Sequence, residues 1–395
     1  MHDNKPKSSK LFISEKLTES IELGGFIYIE GMFHMFLRNR VGAFWTIEHY
    51  ISQDTVQWTR TKAVAKSVRK LGAGSVLLRG GKLYIVYKSG IRGGAVQLAI
   101  SKNHTDFECV EVPAFEDKLL GANYQTPRLI YSRNEYYIVA SKLNKDNNIS
   151  VFGSSNGVLW EPRFEIKMQD KNKYPSIISL GGRCFLIVED ASGRVKYIEI
   201  QAEFFNRKVT FVGEWKVIED ITMPRTTVFQ DGRVVLTSAI KSDDDITIST
   251  PRVLQLIDDK IAMQPLAELS FRRGEPLEIT TESDNSNVIA TSGWADIDIE
   301  YNLAENGSLA LEFATKNSNF SVKISDSDII YDNKSQKIGD NGANYVRIIV
   351  SCGRIEIFAN AGASVISKVL AESVTKIAIN GDYNKCEVMA FDINI

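Results

Sequence analysis

The stretch LGGFIYIEGMFHMFL, Leu23 to Leu37, reads as two strands of β-branched and aromatic residues around the tight turn at Glu30-Gly31. The same phrase returns as AGSVLLRGGKLYIVY from Ala73, TPRLIYSRNEYYIVA from Thr126, YPSIISLGGRCFLIV from Tyr174 and MPRTTVFQDGRVVLT from Met223. The turn residues Gly31, Gly81, Asn134, Gly182 and Gly232 lie 50, 53, 48 and 50 positions apart by subtraction. A repeat of about fifty residues built on hairpins fits one four-stranded blade per copy. Five copies predict a five-bladed β-propeller.

A second phrase lies between copies: Ser52-Gln53-Asp54 before Trp58, Ser101-Lys102-Asn103 before Phe107, and Ser155-Asn156-Gly157 before Trp160. Each is read as a polar hairpin turn followed by an aromatic that packs between blades rather than stacks on a ligand. Helical periodicity is nearly absent. After about residue 270 the rhythm changes to runs such as ADIDIEYNL, SLALEFAT and YVRIIVSCGRIEIFAN, typical of an antiparallel sandwich. The expected organisation is all-β: an N-terminal extension at 1–20, the propeller at 21–272 and a β-sandwich at 273–395.

With 395 residues, 44% of them hydrophobic and 24% charged, and a formal net charge of −2, no global field points to nucleic acid or membrane. The start, MHDNKPKSSKLF, lacks the apolar core of a leader, and no run of about 18 apolar residues occurs, so a cytoplasmic protein is expected. The run Asp243-Asp244-Asp245 beside Lys241 reads as a solvated loop. Cys109, Cys184, Cys352 and Cys386 show no metal-ligand spacing and are read as buried small hydrophobes. Neither do His2, His34, His49 and His104, and His34 sits in a strand-like run that suits core packing. No Gly-rich phosphate loop precedes a helix, so no cofactor is expected.

Five stretches, in order, resemble glycoside hydrolase family 32, the invertases, levanases and inulinases. GGFIYIEGMFHMFL at 24–37 resembles the family's NGLIYxxGxYHLFY, SQDTVQW at 52–58 its SxDLVHW, and GAGSVLL at 72–78 its SGSAVV. TPRVLQLIDDKIAMQPLAEL at 250–269 resembles LPRELxLxDGKLxQxPVxEL, and VRIIVSCGRIEIFANAGASVISKVL at 346–370 resembles LxVxVDxSSxEIFxNDGxxxxTxxxF. The resemblance implies a propeller followed by a sandwich, and a retaining glycosidase site with an Asp nucleophile in NDPNG, a stabilising Asp in RDP and an acid/base Glu in EC. Here those motifs stand as Ile21-Glu22-Leu23-Gly24-Gly25, Gln125-Thr126-Pro127 and Lys173-Tyr174-Pro175.

Three carboxylates thus become −1 at Glu22, 0 at Thr126 and +1 at Lys173, a sum of zero. Glu22 carries its carboxylate one methylene further than Asp would. Thr126 offers a hydroxyl but no anion, and Lys173 is a poor general acid at an ordinary lysine pKa near 10.4. An ion pair between Glu22 and Lys173 is expected. Arg128 and Arg225 either make the funnel positive, favouring an anionic glycan, or turn away into salt bridges between blades. Trp45, Glu48, His49 and Gln97 are further candidates to contact sugar, and Gln97 also suits plain strand pairing. Glu189-Asp190 is the candidate for a relocated catalytic group. The expected function is carbohydrate binding, of an oligo- or polysaccharide, with little or no β-fructofuranosidase activity. The alternatives are a retooled glycosidase or fructosyltransferase with Glu22 as nucleophile, and a purely structural or protein-binding propeller.

Overall fold

In the computed structural model the described residues run from 21 to 394, leaving out 91–95, 111–123, 143–146, 204–207, 219, 242–245, 284–285, 339–343 and 352. The N-terminal stretch 1–20, the acidic run at 243–245 and Cys352 therefore lie outside the described residues. The chain is nearly all β and divides between Ala239 and Ile240 into two compact units. No helix among the described residues is long and apolar enough to cross a membrane.

The first unit holds four complete antiparallel sheets and the opening hairpin of another. The first sheet runs β1 (Glu22–Ile29), β2 (Met32–Val41), β3 (Phe44–Ser52) and β4 (Thr59–Arg60), with β5 (Ala65–Ser67) also paired to β3. The second is β6 (Leu71–Arg79), β7 (Lys82–Ser89), β8 (Val96–Ser101) and β9 (Glu108–Val110). The third is β10 (Tyr124–Ser132), β11 (Glu135–Lys142), β12 (Ile149–Ser154) and β13 (Glu161–Ile166). The fourth is β14 (Asn172–Leu180), β15 (Arg183–Asp190), β16 (Val195–Glu203) and β17 (Lys208–Ile218). The hairpin is β18 (Thr222–Val228) and β19 (Val234–Lys241).

The five repeat turns become five hairpins. At Glu30-Gly31, Gly80-Gly81, Arg133-Asn134 and Gly181-Gly182 both central residues have positive φ, as the two-residue turn matched to strand twist requires. The first strands adjoin in order, β1 against β6, β6 against β10, β10 against β14 and β14 against β18, and β18 lies against β1. Five first strands therefore close a ring. Adjacent sheets bury their apolar faces on each other: Val86, Leu98, Leu129, Ile138 and Phe152 pack with Trp160, and Val139, Val151, Leu186, Val188 and Ile198 form the next layer.

The polar phrases between copies form the expected turns. Asp54 Oδ1 accepts from the N–H of Val56 and Gln57, both at 2.8 Å, and Asn103 Oδ1 from Thr105 and Asp106 at 3.1 and 2.8 Å. In the third copy the serine is Ser154, not Ser155: its Oγ accepts from Gly157 N at 2.9 Å, while Ser155 is exposed. Trp58 and Trp160 are buried, and Phe107 packs edge-on against Phe36 and His49. The aromatics therefore fill gaps in the packing.

The second unit contains a hairpin, Arg252–Ile257 with Lys260–Pro265, then six- and seven-stranded antiparallel sheets around a core that includes Ile297, Leu311, Phe313, Ile348 and Ile357. Buried ion clusters tie it together. Asp296 accepts from Arg347 and Arg273, and Glu356 pairs with Arg252 at 2.7 Å and Arg354 at 3.2 Å while accepting from Thr250 N at 2.7 Å. The hydrogen bonds and pairings hold both carboxyls below their ordinary range against the burial that raises them.

Candidate functional site

Every first strand of the ring is bulged at the same point, two or three residues from its start: between Leu23 and Gly25, Gly72 and Ser75, Gln125 and Arg128, Lys173 and Ser176, and Thr222 and Arg225. Thr126, Tyr174 and Met223 sit in these bulges with φ of 50°, 53° and 51°, a left-handed conformation that costs a non-glycine residue about 1 kcal/mol or more. A bulge also takes an N–H out of the ladder, and a buried N–H needs an acceptor. At three junctions a side chain of the preceding sheet supplies it. Glu22 Oε2 accepts from Ala73 N at 3.1 Å, Thr126 Oγ1 from Tyr174 N at 2.9 Å, and Glu189 Oε2 from Met223 N at 2.7 Å. Glu22 and Thr126, two of the three positions where family 32 has carboxylates by resemblance, are thus bound into the backbone of the neighbouring strand.

Glu22 is also clamped by cations. Arg38, directly across the β1–β2 ladder, approaches Oε2 at 3.5 Å, and Arg225 from β18 approaches Oε1 at 3.5 Å while donating from Nε to the Leu23 carbonyl at 2.8 Å. The expected ion pair with Lys173 does not form. Lys173 is exposed, and the partners of Glu22 are Arg38 and Arg225. The bulge explains the difference, because it sets Lys173 one register step from the residue that turns inward. That residue is Tyr174, whose buried ring carries the Arg225 guanidinium at 4.2 Å. Burial, with the charges of Glu22 and Glu189, pushes the Tyr174 phenol well up.

Arg225 does form a salt bridge between sheets, from β18 to Glu22 on β1, whereas Arg128 pairs with no carboxylate among the described residues. Arg128 is fully enclosed, donates to Ser176 Oγ at 3.3 Å, and leaves its buried Nε without a hydrogen-bond partner. Burial, reinforced by Arg225, pulls this guanidinium down to about 9. Burial also lowers Arg225, with Glu22 acting against it. Lys88, across the ladder from Gly72, is lowered by burial and by Lys70 and supported by Glu22.

The remaining candidates separate. Trp45 is half-buried with Arg38, Arg40 and Lys70 over its ring at 5.1, 5.5 and 5.6 Å. Glu48 is buried in structural bonds to Tyr50 and Arg60, both at 2.6 Å. His49 is fully buried, 2.9 Å from His34 and 2.8 Å from Thr61 Oγ1, stacked on Phe36. These two are core groups rather than sugar contacts, because β3 is the third strand of its sheet and this part of it faces the packing. Gln97 is half-buried in the β7–β8 ladder opposite Tyr87. Glu189 accepts from Thr222 Oγ1 at 2.6 Å besides Met223 N, and Asp190 caps a turn through Ser192 and Arg194. Cys109 is exposed and hydrogen-bonded to Tyr87 rather than buried, and Cys184 and Cys386 are half-buried. Among the described residues no three His, Cys, Asp or Glu side chains come together as metal ligands.

Sequence reading missed Arg38, Tyr174 and Lys88. Counting back along the hairpin from Gly31 without the bulge pairs Glu22 with Asn39, and the bulge moves its partner to Arg38. Tyr174 was hidden by reading the motif position for position without the bulge.

The fold is thus an all-β chain with a ring of five first strands and a polar cluster at their bulged starts. The model for the N-terminal domain of glycosyl hydrolases family 32 matches residues 22–180. The chain is similar to a family 32 β-fructofuranosidase of Bombyx mori, with 16% identity and a TM-score of 0.79 over 94% of this chain and 91% of that one. It is similar too to an exo-inulinase of Aspergillus awamori, with 13% identity and a TM-score of 0.77 over 100% and 99%. A third solved structure, fructan 1-exohydrolase IIa of Cichorium intybus in complex with 1-kestose, shares 14% identity and a TM-score of 0.72 over 94% and 95%. Compared by sequence with curated proteins, the chain matches none. It is a glycoside-hydrolase-family-32-like protein, and at these identities the likeness to the solved structures is one of fold.

Proposed function

We propose that this protein is a five-bladed propeller with an appended sandwich that binds a carbohydrate in its funnel and has little or no β-fructofuranosidase activity. One observation carries the reading: Glu22 is held between Arg38 and Arg225 while accepting from Ala73 N, at 3.5, 3.5 and 3.1 Å. With Ala73 N and the Arg225 guanidinium hydrogen-bonded to its oxygens and Arg38 at ion-pair distance, this carboxylate is held in place with its charge balanced, which opposes attack on a sugar carbon. Thr126 gives its oxygen to Tyr174 N, and where the resemblance puts an acid, Lys173 is exposed and the buried residue beside it is Tyr174, a phenol that burial pushes well up. Sugar binding rests on the family likeness and on half-buried Trp45 beside the cluster, a face suited to a pyranose or furanose ring.

The test measures fructose release from sucrose, levan and inulin at high protein loading, alongside titration of the same sugars by calorimetry. Binding of an oligosaccharide without turnover is expected. Release that E22Q abolishes would overturn the reading in favour of a glycosidase with Glu22 as nucleophile.

A further inference from the structure

Around Phe44 and Trp45 lies a band of cations, most of which no carboxylate answers among the described residues. From Thr59 to Lys70 the sequence TRTKAVAKSVRK has five cations, Arg60, Lys62, Lys66, Arg69 and Lys70, and no acid. β5 lies in the middle of this segment and pairs with β3 so that Ser67 stands opposite Trp45 and Lys66 opposite Thr46. Lys66 Nζ rests 4.2 Å from the centre of the exposed Phe44 ring, and Arg40 and Lys70 flank the Trp45 ring. Among the described residues, Arg40, Lys66 and Lys70 have no ion-pair partner, while Arg60 is taken up by Glu48.

The band continues inward. Arg38 lies by both the Trp45 ring and Glu22, and the buried Lys88 is within electrostatic reach of Lys70 and Glu22. Beyond Glu22 lie Arg225 and then Arg128, whose enclosed guanidinium keeps a free Nε and has a neutral hydroxyl for its one hydrogen-bond partner. Around the ring floor Arg38, Lys88, Arg128 and Arg225 face Glu22 and Glu189, a formal balance of +4 against −2. Buried like charges without counterions are costly, and the cost falls when an anion arrives.

We infer that the glycan bound in this funnel is a polyanionic one, a sugar chain carrying repeated oxyanions, which lies with its rings on Phe44 and Trp45 and its anionic groups on Lys66, Lys70, Arg40 and Arg38. The inference rests on the carbohydrate-binding reading above and names the class of sugar. A single phosphate needs one compact cradle; an extended row of cations interleaved with aromatic faces suits a chain with a charge on successive residues. Such binding is electrostatically steered and weakens with added salt.

The experiment titrates the full chain with oligogalacturonate, sulfated dextran oligomers and neutral inulin oligosaccharides of matched length, at low and at physiological ionic strength. The two acidic probes separate a carboxylate from a sulfate source, and tight binding of either supports the inference. The expected result is at least tenfold tighter binding of an acidic probe than of inulin, a loss of affinity with salt, and a further loss of tenfold or more in the exposed double variant K66Q/K70Q with inulin binding unchanged. Both side chains are at the surface, so the variant tests binding and not folding, which circular dichroism confirms. Inulin bound as tightly as the acidic oligomers, or acidic binding indifferent to K66Q/K70Q, would sink the polyanion inference and leave carbohydrate binding standing. No binding of any of the three sugars would remove both.

Discussion

Glu22 is the residue on which two accounts of this site diverge, and the difference is measurable in stability. As a nucleophile its loss would spare the fold. As the acceptor for Ala73 N and the counterion of Arg38 and Arg225, its loss leaves two buried guanidiniums without their carboxylate and an N–H without its acceptor. Removing one partner from a buried ion pair costs about 3–5 kcal/mol, most of it the penalty on the charge left behind. E22A is therefore expected to lower the unfolding free energy by about that much in urea titration. E22Q keeps an oxygen for Ala73 N and a dipole for the arginines, and should cost about half as much. Equal stability of E22A and wild type would show that the clamp contributes nothing.

At the scale of elements, the hairpins and the repeat were legible because turn chemistry is local. Glycine and asparagine announce positive φ, and alternating apolar residues announce strands. The bulges were not legible. A bulge is set by packing of the first strands around the ring, and Thr126, Tyr174 and Met223 adopt left-handed φ without a glycine to signal it. One unannounced residue shifts which side chain faces inward, which is why Lys173 was read as the partner of Glu22 and Tyr174 was overlooked. The Ser-x-Asp/Asn turn gives a smaller case: two adjacent serines look alike in sequence, but the buried Ser154 alone reaches the turn backbone. S154A should cost about 1 kcal/mol by leaving Gly157 N unpaired, whereas S155A should leave the thermal midpoint unchanged. A reversed order would mean that the turn is held otherwise.

For the whole molecule, the two units hold their titratable groups in different ways, and this sets the order in which acid loosens them. In the first unit, burial lowers His34 to about 4, helped by His104, and His49 to about 3, helped by His34. Both rings are neutral in the fold, whereas in the unfolded chain they take up protons near 6.5. Their stabilisation is thus intact above pH 6.5 and drains away as pH falls from there through about 4 and 3. Linkage puts the loss at about 2 kcal/mol for each ring between pH 7 and pH 5. In the second unit Asp296 and Glu356 are lowered carboxylates, so their contribution holds above the ordinary carboxylate range and falls only below about pH 4.5. Hydrogen exchange read by mass spectrometry should therefore show the first unit losing protection between pH 6.5 and 5 while the Ile297 to Ile357 core of the second keeps its own. H49Q removes one of the two neutral rings, and although it lowers stability at pH 7, it should cut the loss between pH 7 and 5 by about half. An unchanged slope in H49Q, or second-unit protection lost first, would place the acid-sensitive step elsewhere.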